Sequence, residues 1–389
     1  MKLNLLLKNE LIENFNNVFS NTNHSVYFSP GRVNLIGEHI DYNGGFVFPA
    51  AISYGTYGVA SLNETQNINI YSKGFSKMVD TFSLNDLSKK DSDGYLSYIK
   101  GIFYTLKMKG IHIVKGLDIY IESTLPTSSG LSSSASLEML IIYILNDIYK
   151  LNLTTLDMVN ISKETENKYV GVHSGIMDQF AVGFGKYNHA ILLDTQTLFY
   201  EHIPFDLKNY RLLIINSNKP RQLAASKYNE RFGECQETLQ ILKKHFNIEH
   251  LCELEVSDLP QIKALLSDTL YRRIKHCITE QTRVIQSKNA LIKGDILSFG
   301  NAMNLSHESL RYDYEVSVDE LDTIVDVARN SGAIGARMTG AGFGGCAIAI
   351  VEDKFANHVK EKILTAYQQK FSMDASIYEV EISSGTHKL

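Results

Sequence analysis

Cysteine is sparse. Cys235, Cys252, Cys277 and Cys346 are the only four in 389 residues, and no two stand in the C-x-x-C spacing of a zinc site. That pattern suggests neither a metal site nor a disulfide framework, and it points to a reducing compartment. Basic blocks are missing too: the formal net charge is −5, which argues against a nucleic-acid or anionic-membrane partner. The longest apolar run, Met139 to Leu145, falls far short of the roughly 20 residues that a membrane span needs. The opening MKLNLLLKNE has only a short semi-apolar stretch before Lys8, too little for a signal-peptide core. These absences predict a soluble, cytoplasmic protein whose partner is a small molecule. No Walker A pattern occurs, so the usual P-loop fold is not the answer.

What is present is an ordinary globular composition, 44% apolar and 21% charged, in a chain longer than one core usually supports. Two domains with a ligand cleft between them are expected, residues 1–205 and 206–389. Leu117, Ile119 and Ile121 alternate with polar residues, the period of a half-buried strand. After Pro126 to Gly130, the continuous apolar run Ser132 to Tyr149 reads as a buried helix started by serines, which are good N-caps. Beyond Pro220, Gln222 to Phe246 and Tyr271 to Ile292 carry helical spacing. The end returns to strands, CAIAIV at 346–351 and YEVEI at 378–382, around a helix from Phe355 to Phe371. The class is α+β.

Three segments suit a phosphorylated ligand and a polyol. PTSSGLSSSAS at 126–136 sets a small-residue loop before a helix, so backbone N–H groups and the positive helix end converge on one spot, where a phosphate would bind. MTGAGFGGCAIAI at 338–350 has Gly340, Gly342 and Gly345 in G-x-G-x-x-G spacing, but these glycines run straight into the strand CAIAIV. A dinucleotide fingerprint follows a strand and opens a helix, so the glycines are read as allowing close backbone approach to a phosphate or to the first segment. GRVNLIGEHIDYNGG at 31–45 gathers Arg32, Glu38, His39 and Asp41 within ten residues, groups that pair well with sugar hydroxyls. An exposed, locally capped turn is the plain alternative.

In GVHSGIMDQFAVGFGK at 171–186, Asp178 lies among apolar and small residues, where a charge is costly unless paired or functional. Arg32 is the candidate partner. Such pairing works against a simple general-base role, but phosphoryl transfer through a loose transition state asks for positioning more than for a strong base.

Taken in order, the three segments resemble the motifs of the GHMP small-molecule kinases, and GRVNLIGEHIDYN is similar to the galactokinase signature of that superfamily. SGIMDQF at 174–180 and SHESLRYDYEVSVDELD at 306–322 are also similar to segments of that family, so the resemblance extends over nearly the whole chain. It implies a two-domain fold, with an N-terminal domain like the second domain of ribosomal protein S5, a ferredoxin-like C-terminal domain, and the active site at their junction. It implies transfer of the γ-phosphoryl group of ATP to the anomeric hydroxyl of α-D-galactose, with Mg²⁺ as the second cofactor, by a monomer. Asp178 would be the catalytic carboxylate and Arg32 would stabilise charge beside it. Glu38, His39, Asp41, Gly175 and Tyr228 would form the sugar pocket. Pro126, Ser128, Ser129, Gly130, Leu131, Ser132, Ser133 and Ser134 would form the phosphate loop, supported by Gly340, Ala341, Gly342 and Phe343. Ser134 and Glu166 would hold Mg²⁺. The family loop usually has Gly or Ala where this chain has Ser128 and Ser129. Two alternatives stay open: a sibling kinase for N-acetylgalactosamine or arabinose, since few pocket side chains decide substrate choice, and a non-catalytic sensor of galactose and ATP on the same fold.

Overall fold

The strand-rich first half folds into a sheet that helices cover on both faces. A computed structural model describes residues 2–21, 23–126, 130–172, 174–219 and 224–389. Its strands are β1 (Ser25–Asn34), β2 (Phe46–Val47), β3 (Pro49–Asn63), β4 (Asn67–Ser72), β5 (Asp80–Ser83), β6 (Gly116–Ser123), β7 (His189–Asp194), β8 (Tyr200–Pro204), β9 (Tyr210–Asn216), β10 (Ala333–Thr339), β11 (Cys346–Glu352), β12 (Ser376–Val380) and β13 (His387–Lys388). Its helices are α1 (Lys2–Phe19), α2 (Leu96–Met108), α3 (Ser133–Tyr149), α4 (Thr155–Glu164), α5 (Met177–Phe184), α6 (Ala224–Leu242), α7 (Leu259–Lys263), α8 (Asp268–Ile292), α9 (Ile296–Tyr312), α10 (Asp319–Asn330) and α11 (Ala356–Phe371).

Among the described residues the strands form three sheets. The largest has the order β13-β1-β3-β6-β4-β5, antiparallel except for the parallel pair β4 and β6. Leu117, Ile119 and Ile121 of β6 join a core with α2 to α5, while Tyr120 faces Leu11 and Phe15 of α1. The alternation therefore does not mark a half-buried strand. Both faces of β6 are covered over most of its length, because α1 lies on the side that the polar residues suggested was wet. A short sheet β2-β7-β8 follows, and then an antiparallel sheet β10-β11-β9-β12 on which α9, α10 and α11 pack.

The two halves share a core. Val33, Leu35, Ile36, Phe48 and Ile52 belong to the same buried cluster as Leu212 to Ile215 and Ile348 to Val351. The last residues, counted in sequence with the second unit, return to the first: Ile382 bridges Ile52, and β13 pairs with β1.

Two local features place the site. The β1–β3 register shifts between Pro30 and Gly31, a bulge of the kind that re-aims a strand. A Cβ on Gly31 would lie 2.8 Å from the Leu131 carbonyl oxygen, so glycine is what lets the 130–131 backbone lie across β1. Helix α4 continues without a break into a wide π-helical turn, Thr165–Val170, a geometry common at functional sites.

Helix α9 meets β10 through glycine on both sides. A Cβ on Gly300 would stand 2.6 Å from the Ile334 carbonyl oxygen. Gly300→Ala should therefore lower unfolding stability by about 1–3 kcal/mol through overpacking. A urea midpoint equal to that of the unsubstituted protein would show that α9 can shift to make room.

Candidate active site

Nine of the residues singled out in the sequence, Arg32, Glu38, His39, Asp41, Gly175, Asp178, Tyr228, Gly340 and Ala341, line one cavity of about 600 Å³. Arg32 comes from the bulged end of β1. Asp178 comes from the first turn of α5, where a carboxylate also meets the positive end of the helix. The guanidinium forks onto the carboxylate, Nε to Oδ1 and Nη2 to Oδ2, each at 2.8 Å. Its Nη1 donates to the Gly130 carbonyl at 2.7 Å, and the Arg32 amide donates to the Leu131 carbonyl at 3.3 Å. The loop before α3 is thus fastened to the same strand.

Ser132 corrects one expectation. It occupies the N-cap position of α3 but caps nothing, because its backbone is left-handed (φ 60°) and its hydroxyl donates to Asp178 Oδ2. With the hydroxyl turned toward the carboxylate no side-chain cap bond forms, so among the described residues no side chain caps the first-turn N–H groups. Ser133 is exposed and Ser134 half-buried in that first turn. Leu131 is buried, and Pro126 stands at the start of the loop. Ser128 and Ser129 lie outside the described residues, as does the expected start of the next helix at Gln222.

The wall opposite Asp178 consists of buried polar groups held by the second half. Glu38 Oε1 accepts from the Gly340 amide at 2.9 Å and from Thr339 Oγ1 at 3.1 Å, with Arg337 Nη1 at 3.5 Å. Burial pushes the Glu38 carboxyl up, against the pull of Arg337. Of the three glycines read as allowing close approach to a phosphate or to the first segment, Gly340 does meet the first segment. Gly342 instead packs on the backbone of Val316, whose carbonyl oxygen would lie 2.3 Å from an added Cβ. Phe343, next to it, donates its amide to the same carbonyl at 2.8 Å.

His39 sits in an aromatic cage of Tyr42, Tyr228 and Tyr314, with a left-handed backbone at φ 61°. Its Nε2 lies 3.1 Å from the Ala341 carbonyl, which can only accept, so Nε2 carries the hydrogen. Its Nδ1 then accepts from the Tyr42 hydroxyl at 2.9 Å, which accepts in turn from Tyr314 at 2.8 Å. Burial lowers the His39 pKa to about 3. The ring is a neutral, fixed wall with both nitrogens engaged by protein.

Burial, then the Glu38 carboxylate, raises Asp41 to about 6, and burial together with Asp41, Asp178 and Glu38 pushes the Tyr228 hydroxyl far up, so it stays a donor. A cavity walled chiefly by carboxylate acceptors suits a neutral ligand rich in hydroxyl donors and not an anion.

Behind Asp178, Glu166 of the π-helical turn accepts at Oε2 from Ser174 Oγ at 2.5 Å and from Gln179 Nε2 at 2.8 Å. Glu138, one turn beyond Ser134 on α3, is fully buried and has an oxygen, Oε1, without a partner among the described residues. Among those residues no group of three or more His, Cys, Asp or Glu side chains forms a metal cluster. The largely buried carboxylate of Glu166 and the half-buried serine hydroxyl of Ser134 are nevertheless a donor set that fits Mg²⁺, which takes few protein ligands and shares phosphate oxygens.

Seven participants were missed in the sequence: Tyr42, Glu138, Ser174, Gln179, Tyr314, Arg337 and Thr339. A charge inside an apolar run was the signal for Asp178, and the same test finds Glu138 within MLIIYIL-flanked α3 and Arg337 within β10. Gln179 and Thr339 carry no such signal.

Comparisons with known proteins agree with one another. A family model described as the galactokinase galactose-binding signature matches residues 13–62, the GHMP kinases N terminal domain matches 97–186, and the GHMP kinases C terminal domain matches 287–369. The chain is 47% identical to a galactokinase of Enterococcus faecalis over 387 residues, 99% of each chain. It is 48% identical to one of Clostridium perfringens over 384 residues, 98% of this chain and 99% of that one. The crystal structure of Lactococcus lactis galactokinase complexed with galactose superposes with a TM-score of 0.93 at 44% identity, covering 98% of this chain and 100% of that one. Mevalonate kinase of Methanococcus jannaschii shares the fold alone, at 21% identity and a TM-score of 0.66, over 94% of this chain and 100% of that one.

Asp41 supplies a stability test. Its folded pKa, about 6, exceeds the unfolded value near 3.8, so the folded state binds the proton more tightly and stability falls as pH rises from about 4 to 6. Asp41→Asn should raise stability at pH 7 by on the order of 1–2 kcal/mol, discounted for partial exposure, and leave it unchanged near pH 4. Denaturant midpoints at the two pH values decide this, and an equal change at both would refute the raised pKa.

Proposed function

This chain belongs to the galactokinase family of the GHMP kinases and is an ATP-dependent kinase for galactose, and from that premise we propose how its residues share the reaction. The observation that carries the reading is the Arg32 fork, which joins Asp178 to the loop before α3 at the floor of a hydroxyl-accepting cavity.

Glu38, Asp41, Tyr228 and the backbone at Gly175 hold the sugar, with His39 as a fixed wall. A Cβ on Gly175 would stand 3.0 Å from Asp41 Oδ2, so glycine there keeps that carboxylate open to a ring hydroxyl. The anomeric hydroxyl of α-galactose donates to Asp178. The γ-phosphate lies over Gly130 to Ser134, against the first-turn N–H groups of α3 that the Ser132 side chain does not cap. The loop and Arg32 meet the growing negative charge without reorganising, since both are already fastened to β1. In a loose transition state the hydroxyl keeps its proton until late, so an arginine-paired carboxylate can take that proton as the phosphorus–oxygen bond forms. Galactose 1-phosphate and ADP leave. Ser134 and Glu166 would hold Mg²⁺, which when bound neutralises phosphate charge. The reading is of a monomeric, cytoplasmic enzyme; no helix among the described residues is long and apolar enough to cross a membrane.

ADP release by the purified chain should require galactose, and equal ATP consumption with and without the sugar would refute the kinase reading. Asp178→Asn should keep galactose affinity while kcat falls roughly 10²- to 10⁴-fold; a near-normal kcat would show the carboxylate dispensable. Ser134→Ala should raise the KM for MgATP about tenfold or more and leave galactose binding alone. A defect confined to sugar affinity would contradict the assignment of Ser134.

A further inference from the structure

Gln179 follows Asp178 in α5 and is fully buried. Its Nε2 donates to Glu166 Oε2 at 2.8 Å and to Glu138 Oε2 at 3.1 Å. An amide nitrogen has two hydrogens, so each carboxylate takes one. Turned by half a rotation, the amide would aim its oxygen at two acceptors. Glu138 therefore acts with Glu166 in setting which way Gln179 points. Ser174, four residues before Asp178, adds a second donor to the same Glu166 oxygen. Glu166 is thus pinned at Oε2 by the segment that carries the reacting acid, while no hydrogen bond reaches Oε1 among the described residues.

The arrangement is costly. Among the described residues Glu138 Oε1 and Gln179 Oε1 are buried without partners, and replacing such buried polar groups by an apolar trio of similar shape is often neutral or stabilising. Costly polar groups kept directly behind a reacting centre point to function rather than to packing.

We propose that Gln179 is a positioning residue: oriented by Glu138, it turns the free oxygen of Glu166 toward the metal and fixes that carboxylate relative to Asp178. The proposal rests on Glu166 being the metal ligand. It joins the metal side and the sugar side through two adjacent residues of one helix.

The test reads metal binding rather than turnover. Mn²⁺ is titrated by electron paramagnetic resonance into the full chain with galactose and a non-hydrolysable ATP analogue. Gln179→Met and Glu138→Leu should each weaken Mn²⁺ binding about ten- to a hundredfold. Glu138→Gln, which keeps an acceptor for the amide, should stay within about threefold of the unsubstituted protein, and galactose affinity without nucleotide should stay within the same range in all three. Mn²⁺ affinity unchanged in Gln179→Met overturns the proposal, and so does a parallel loss of galactose and metal binding. Should Gln179→Met fail to fold, Glu138→Leu decides by the same criterion. Glu166→Gln separates the two levels. Unchanged Mn²⁺ binding there refutes the metal role of Glu166 itself, whereas a loss there with no loss in Gln179→Met sinks only the positioning role.

Discussion

Arg32 grips Asp178 through Nε and Nη2, both at 2.8 Å, while Nη1 reaches the Gly130 carbonyl at 2.7 Å. One guanidinium therefore ties three parts of the chain together: the end of β1, the first turn of α5 and the loop that opens α3. The planar fork matters, because a lysine at this position is a point charge and could not hold a carboxylate in two-point register while also bonding a carbonyl. The bulge at Gly31 is what presents this side chain, and the missing Cβ there is what lets the loop approach. Remove the fork and the acid, the loop and the helix start lose their common reference.

Around that contact the molecule tolerates an expensive set of buried polar groups. Arg337 is fully buried with Nε and Nη2 unpartnered among the described residues, yet it compensates Glu38 and also donates from Nη1 to the Asn34 carbonyl at 3.1 Å. Glu280, likewise buried, takes the Gly37 amide, the Ser306 hydroxyl and Arg283 Nε. Despite the opposing effect of burial, the charges of Arg283, His276 and Arg337 bring its pKa down to about 2. These groups lie under the sugar wall, and they fix the segment from Gly37 to Asp41 in a shape that its own hydrogen bonds would not select. Each is stable only because its neighbours are in place, since removing one partner would leave an uncompensated charge.

The site exists because the two halves are not independent. A single apolar cluster runs from β1 and β3 into β9 and β11, so the third glycine segment is carried to the first at fixed depth. There the Gly340 amide bonds Glu38, and the Ala341 carbonyl sets the hydrogen on His39. The wall that recognises a sugar is therefore assembled across the junction, residue by residue, and rests on core packing for its precision.

Much of this was readable without coordinates. Helix α3 and strands β9 and β11 follow from apolar period and turn residues, and Asp178 stands out because a lone carboxylate among small apolar residues needs a reason. The motif order named the family. Other features could not be read. The polar alternation in β6 could not reveal that α1 covers its second face, and the serines before α3 looked like caps because capping is the local choice. Ser132 instead answers Asp178, 46 residues away in the chain. Glu138 escaped notice inside an apolar run, and Gln179 carries no charge to betray it. The sequence by itself determined which segments are strands, helices and glycine turns, and which chemical groups are available, because periodicity and turn preference act over a few residues. Which of those groups meet, which way the Gln179 amide points and which nitrogen of His39 holds its hydrogen were decided only by tertiary structure, because a hydrogen bond depends on a partner within about 3 Å and the chain brings such partners from 13 to 302 residues away.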